Sequence, residues 1–161
     1  MLPRSDVSRS VTHTPVVLLL ARAIQWGGTF ARTKGGAVVR WRDGRGELVV
    51  RGPDGAERAR VPLEIAASYR ARTRGLLGRD SLDGALLLSP ANSVHTFRMR
   101  MPIDVAYLDR RLRVVSVRTM PPGRLGRPRV RARHVIEAEA GAMEGWGLGV
   151  GSVVEVVLGE D

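Results

Sequence analysis

The stretch Ser93-Val94-His95-Thr96-Phe97-Arg98-Met99-Arg100-Met101-Pro102-Ile103-Asp104-Val105-Ala106-Tyr107-Leu108-Asp109 decides how the chain is read. Residues 94–101 alternate strictly. Val94, Thr96, Arg98 and Arg100 fall on one side, and His95, Phe97, Met99 and Met101 on the other, the period of a half-buried strand. Pro102 has no N–H to offer a ladder and ends that run. Ile103–Leu108 is apolar at both parities apart from Asp104, which predicts a strand buried on both faces. Asp109-Arg110-Arg111 turns the chain into a further strand over 112–120. Strands this short, separated by turns, point to a mainly β fold.

The flanking sequence follows the same grammar. Upstream, 38–41 and 47–51 flank the turn signal Asp43-Gly44-Arg45-Gly46, and Gly52-Pro53-Asp54-Gly55 marks a second turn. Residues 60–66 read as a strand with Val61, Leu63 and Ile65 on one face, and Pro62 suggests a sheet edge. One helix is expected over 69–77, capped by Ser68 and stopped by Gly78, with Tyr69, Thr73, Leu76 and Leu77 on one face. Residues 84–88 form a short apolar strand closed by Ser89-Pro90-Ala91-Asn92. Downstream, 121–133 carries three prolines and five arginines without periodicity, which predicts a mobile loop. Strands over 134–138 and 150–158 bracket a short helix over 139–146. The expectation is a single mainly β domain over 36–161, a sandwich or barrel with one or two short helices. Residues 1–35 read as a flexible basic extension, with a short helical turn near 16–24.

Composition narrows the function classes. The 161 residues include no cysteine, which excludes disulfides, thiolate metal sites and thiol catalysis. His13, His95 and His134 have no metal-ligand spacing, so neither metal nor cofactor is expected. The net charge is +10 and unevenly spread: residues 136–161 hold six acids and no base, while 61–135 hold fifteen bases and five acids. All but one of the 26 bases are arginine. An arginine-decorated soluble surface explains this better than nucleic-acid binding does, and seven aromatics are few for stacking bases. The longest apolar run, 16–21, is too short to span a membrane, and no clean cleavage site follows it. A cytoplasmic location is the expectation.

Few residues carry chemistry. There is no Gly-x-Ser-x-Gly elbow, and the glycine-rich segment 147–151 precedes a strand rather than the helix a phosphate loop needs. Asp104 stands out, since a carboxylate in a buried strand requires donors. It either anchors a turn or an arginine bridge, with Arg74 or Arg79 as the expected partner, or it faces a polar cleft. His95 shares its side with Phe97, Met99 and Met101, which suits a core histidine as readily as a functional one. His95 and Asp104 form an acid–base pair only if the fold brings them together.

The stretch 63–142 resembles a known family. Arg72-Thr73-Arg74-Gly75-Leu76-Leu77-Gly78-Arg79 followed by Asp83-Gly84-Ala85-Leu86-Leu87-Leu88 is similar to the opening signature of domain of unknown function 192. Residues 93–109 resemble its central aromatic-Met strand running into Pro-[Leu/Ile]-Asp. Val135-Ile136-Glu137-Ala138-Glu139-Ala140-Gly141 resembles a further segment, and 149–154 the closing one. Two departures are Phe97-Arg98-Met99-Arg100 in place of Trp-Met-Lys-Asn, and Gly151-Ser152 in place of Gly-Asp. The resemblance spans about 58–158 and implies a compact, jelly-roll-like β fold with a small helix packed across it. It implies no established activity. The favoured expectation is a non-enzymatic binding or accessory module. Its cleft, lined by Arg74, Arg79, His95, Arg100 and Asp104, would take an anionic small molecule or acidic protein segment. A hydrolase-like enzyme using His95 and Asp104 is the alternative, and nucleic-acid binding the third.

Overall fold

The computed structural model describes residues 30–32 and 38–159, with side chains from Arg40 onward. Most of the expected extension 1–35 therefore lies outside the described residues. Strands β1 (Phe30–Arg32) and β2 (Val38–Arg40) pair with each other in a small antiparallel sheet. The remaining strands are β3 (Gly44–Arg51), β4 (Glu57–Ala66), β5 (Ala85–Leu88), β6 (Ile103–Leu108), β7 (Val114–Met120), β8 (His134–Glu139) and β9 (Val153–Leu158). They form one sheet in the order β7-β6-β8-β5-β4-β3-β9, antiparallel except for the β4–β5 pair. The sheet curls into a half-barrel until its outer strands touch at one end. There Val114 N–H donates to the Ser152 carbonyl (2.8 Å) and Val154 N–H to the Leu112 carbonyl (3.0 Å). The mainly β expectation holds, with two short helices, α1 (Tyr69–Arg74) and α2 (Ala142–Gly145).

Every residue of β5 and β6 is buried, as the near-continuous apolar runs require. One face of the sheet gathers side chains from all seven strands, among them Leu48, Leu63, Leu87, Leu108, Val114, Ile136 and Val154, around Met143 of α2. The opposite face of β5, β6 and β8 is covered by Leu76, Leu82, Val94, Met99 and Met101 from the intervening loops, packed on Leu86, Val105, Tyr107 and Val135. Parallel entry of β5 beside β4 depends on Gly84. Its φ is +77°, and a Cβ there would lie 2.1 Å from the Pro62 carbonyl oxygen.

Five local expectations fail for physical reasons. The segment 43–46 is no hairpin turn. Gly44–Gly46 belong to β3, and Asp43 instead accepts the N–H groups of Ala67 and Ser68, both at 2.7 Å. Pro62 does not mark an edge: β4 is paired on both sides, and Pro62 stands one residue before its stretch beside β5. The helix ends at Arg74, three residues early, because Gly75 leaves the helical region at φ 44°. Its Ser68 cap is as expected, accepting from Ala71 N–H at 3.1 Å. Finally, 94–101 is not a strand. Thr96 knots it to the arginine-rich loop, with its N–H bonded to the Arg124 carbonyl (2.8 Å) and its hydroxyl to the Pro121 carbonyl (2.7 Å). Arg98 turns the chain at φ 61°. The same knot, continued by Gly126 N–H to Val94 and Arg129 N–H to Asn92, ties down the loop expected to be mobile.

Candidate functional site

Alternation along β8 sends His134, Ile136 and Ala138 to the all-strand face and Val135, Glu137 and Glu139 to the other. Glu137 lies opposite Leu86 of β5 and Val105 of β6, so the strand is paired on both sides and its carboxyl projects from mid-sheet. It opens onto the floor of a cleft of about 170 Å³. One wall is α1 and the turn after it, through Tyr69, Arg72, Arg74, Leu76 and Leu77. The other is formed by Leu88, Asn92, Val94, His95 and Met99, with Leu125 at the mouth. Tyr69 and Leu125 are exposed there.

Glu137 is 4 % exposed, yet none of the hydrogen bonds or ion pairs of the described residues ends on its carboxyl. Burial alone pushes its pKa up to about 7. His95 is half-buried and stacked on Phe97 at 5.5 Å between ring centroids; its Nδ1 is buried without a partner, and burial lowers its pKa, favouring the neutral ring. Beneath the arginine-rich loop, Arg129 lies over the Tyr107 ring, 5.6 Å from its centroid, and burial raises the Tyr107 phenol.

The expected site residues do not converge. Arg74 and His95 line the cleft; Arg79, Arg100 and Asp104 do not. Arg79 makes a bidentate bond to Glu64 (2.8 and 2.7 Å), holding the segment after α1 against β4. Arg100 reaches exposed Asp80 at 3.1 Å. Asp104 faces the other side of the sheet. There it accepts from the Thr119 hydroxyl (2.7 Å), Gly141 N–H (2.8 Å) and Met143 N–H (3.3 Å), pinning α2. The expected bridge from Asp104 to Arg74 or Arg79 is therefore absent, and the turn-anchor alternative is what the structure contains. His95 lines the cleft and Asp104 faces the other side of the sheet, so the structure does not bring the two together.

Arg72 also lines the cleft, but its guanidinium is turned onto the carbonyls of Ala67 and Ser89. Among the described residues, no group of three or more His, Asp or Glu side chains is placed to hold a metal ion. None of their helices is long and apolar enough to cross a membrane. The residue that sequence reasoning passed over is Glu137. Its signal was present: an acid in the apolar run Val135-Ile136-Glu137-Ala138 poses the same question that singled out Asp104.

Known proteins share this architecture. Over 73 % of its length the chain superposes on 98 % of a candidate transcription regulator from Sinorhizobium meliloti, with a TM-score of 0.64 and 16 % identity. Over 84 % it superposes on 95 % of a protein of unknown function from Novosphingobium aromaticivorans, with a TM-score of 0.56 and 18 % identity. At these identities the likeness is one of fold. In sequence the chain is 36 % identical to the UPF0127 protein PH1112 of Pyrococcus horikoshii, over 51 % of this chain and 76 % of that one. It is 32 % identical to a UPF0127 protein of Pyrococcus abyssi, over 58 % and 84 %. The family model of domain of unknown function 192, described as an uncharacterized ACR, matches residues 50–156, and the chain belongs to that family.

Proposed function

We propose that this protein is a non-enzymatic binding module whose ligand site is the cleft between α1 and the 90–99 loop. One observation carries the reading: Glu137 is a buried carboxyl that no donor among the described residues reaches, facing an otherwise mostly apolar cavity. An unsatisfied buried polar group costs several kcal/mol, and a ligand that supplies the missing donor recovers that cost. Small-molecule sites have this form, apolar walls with a few polar groups that fix orientation. The anionic preference expected from five residues loses Arg79, Arg100 and Asp104, which lie elsewhere.

The test is a fragment screen read by backbone amide NMR shifts. Binders are expected to converge on Leu76, Leu77, Val94, His95 and Glu137, leaving the surroundings of Asp104 unmoved. Fragments scattered over the surface would remove the reading. An enzymatic reading rests on a different observation, the pKa of about 7 at Glu137, where a carboxyl can both give and take a proton. Turnover of an ester, phosphoester or glycoside panel that disappears in Glu137→Gln would establish it in place of the binding reading. Retention on heparin with a steep salt dependence would favour the nucleic-acid reading.

A further inference from the structure

We infer that the cleft takes the ammonium head of a small, otherwise apolar amine, received by the Glu137 carboxylate at its floor; this rests on the cleft being a ligand site. The fold supplies donors to its other interior acids. Asp104 has three, and Glu139 accepts Leu82 N–H at 2.7 Å. At Glu137 the backbone has nothing left to give, since β8 is laddered to β5 and β6 at that residue. None of the arginines nearby bonds the carboxyl: Arg72 is turned onto two carbonyls, Arg74 stands exposed in the cleft wall, and Arg129 lies over the Tyr107 ring. No donor among the described residues reaches it, and its open side is the cleft.

The chemistry of that partner follows from the acceptors. An ionised carboxylate only accepts, and the orphaned Nδ1 of the neutral His95 ring accepts in one tautomer. An ammonium group brings three donors and the charge, and charge-assisted bonds are roughly twice as strong as neutral ones. Leu76, Leu88, Val94 and Met99 suit a short hydrocarbon body, and the volume is close to cavities that hold a benzene-sized molecule. The net charge of +10 does not oppose this. Exposed charges are screened beyond about 8 Å at physiological ionic strength, and Arg74 at the rim is exposed.

The experiment titrates the full chain with n-butylammonium, 1-butanol and butyrate at pH 7.5, following the cleft amides and the Glu137 side-chain carboxyl carbon by NMR. Expected is saturable binding of butylammonium, movement of the Glu137 carboxyl toward its ionised shift, and at least tenfold weaker binding in Glu137→Gln. The carboxyl signal is read in the wild-type protein, so the test stands even if that variant folds poorly. If butyrate or butanol perturbs the cleft and butylammonium does not, the ammonium assignment is wrong while the cleft reading survives. If none of the three perturbs the cleft, both fall. Equal butylammonium affinity in a folded Glu137→Gln variant also overturns the assignment.

Discussion

Two carboxyls sit one rung apart on β6 and β8, each 4 % exposed, and face opposite sides of the same sheet. Asp104 is opposite Ala138, and Glu137 is opposite Val105. Asp104 ends on a hydroxyl and two backbone N–H groups; Glu137 ends on no donor among the described residues and faces a cavity. Equal burial thus hides opposite roles. A carboxylate whose lone pairs are filled from within the fold is part of the framework. One that faces a cleft with no donor from the described residues destabilises the framework when ionised, and under the proposed function it is the group that meets a ligand. The face that carries Asp104 supplies three donors to its buried acid, whereas the face that carries Glu137 turns its acid toward the cleft.

The largest expected effect breaks the filled half of the comparison. Asp104→Ala strands Gly141 N–H, Met143 N–H and the Thr119 hydroxyl, and unpins α2 from the all-strand core. Hydrogen bonds to charged groups are worth about 1.5–3 kcal/mol each and an orphaned buried donor costs about 1–3. A loss of about 3 kcal/mol or more in urea unfolding is therefore expected. Asp104→Asn keeps one acceptor and should lose less. A loss below about 1 kcal/mol for the alanine variant would show that Asp104 is not an anchor.

The empty half should respond with the opposite sign. The folded pKa of Glu137 is raised from 4.5 to about 7. Between those values the native state holds the extra proton, so stability falls as pH rises and stays reduced above 7. Glu137→Gln removes that penalty. It should match wild type at pH 4 and exceed it at pH 8 by about 3 kcal/mol, from about 1.4 kcal/mol per pKa unit. His134 acts in reverse: burial lowers it from 6.5 to about 4, so the unfolded chain holds the extra proton and stability falls as pH falls through that window. The two slopes oppose each other between about pH 4.5 and 6.5. Melting temperature in wild type should vary little there on account of these two groups, and the glutamine variant should expose the acid-side decline of His134. A pH-independent difference between the two proteins would sink the assignment.

Much of this frame was legible in the sequence. Ile103–Leu108 announces its burial by being apolar at both parities, and Ser68 announces the cap it makes. What was illegible depended on partners distant in the chain. The alternation of 94–101 imitates a strand, but Thr96 finds its hydrogen bonds in the loop 121–124, and no local pattern signals that knot. Likewise Asp43-Gly44-Arg45-Gly46 has turn composition, yet the Asp43 carboxylate is claimed by Ala67 and Ser68. For the site, sequence could mark Asp104 and His95 as unusual. It could not say which face each would occupy, because β6 is buried on both and its parity alone is silent.

The smallest expected effects compare how acids are satisfied at the surface. Arg79 and Glu64 are each about one-third exposed and joined by two bonds, whereas Arg100 and Asp80 are 62 % and 75 % exposed. The hydrogen bond from Arg79 lowers the Glu64 pKa, so this pair's stabilisation is present above the ordinary glutamate range and is lost as pH falls through the depressed value. Allowing for solvent screening, Arg79→Ala should cost about 1 kcal/mol at pH 7 in low salt and less in high salt. Its cost should shrink in acid, and a double-mutant cycle with Glu64→Gln should recover most of it as coupling. Arg100→Ala should leave the melting temperature unchanged under every condition. Because Arg79 also holds the segment that follows Leu76 and Leu77, its loss should raise amide hydrogen exchange in that cleft wall while leaving the α2 turn protected. If exchange rises equally around Gly141 and Met143, the two faces of the sheet are coupled, and the separation between anchor and cleft does not hold.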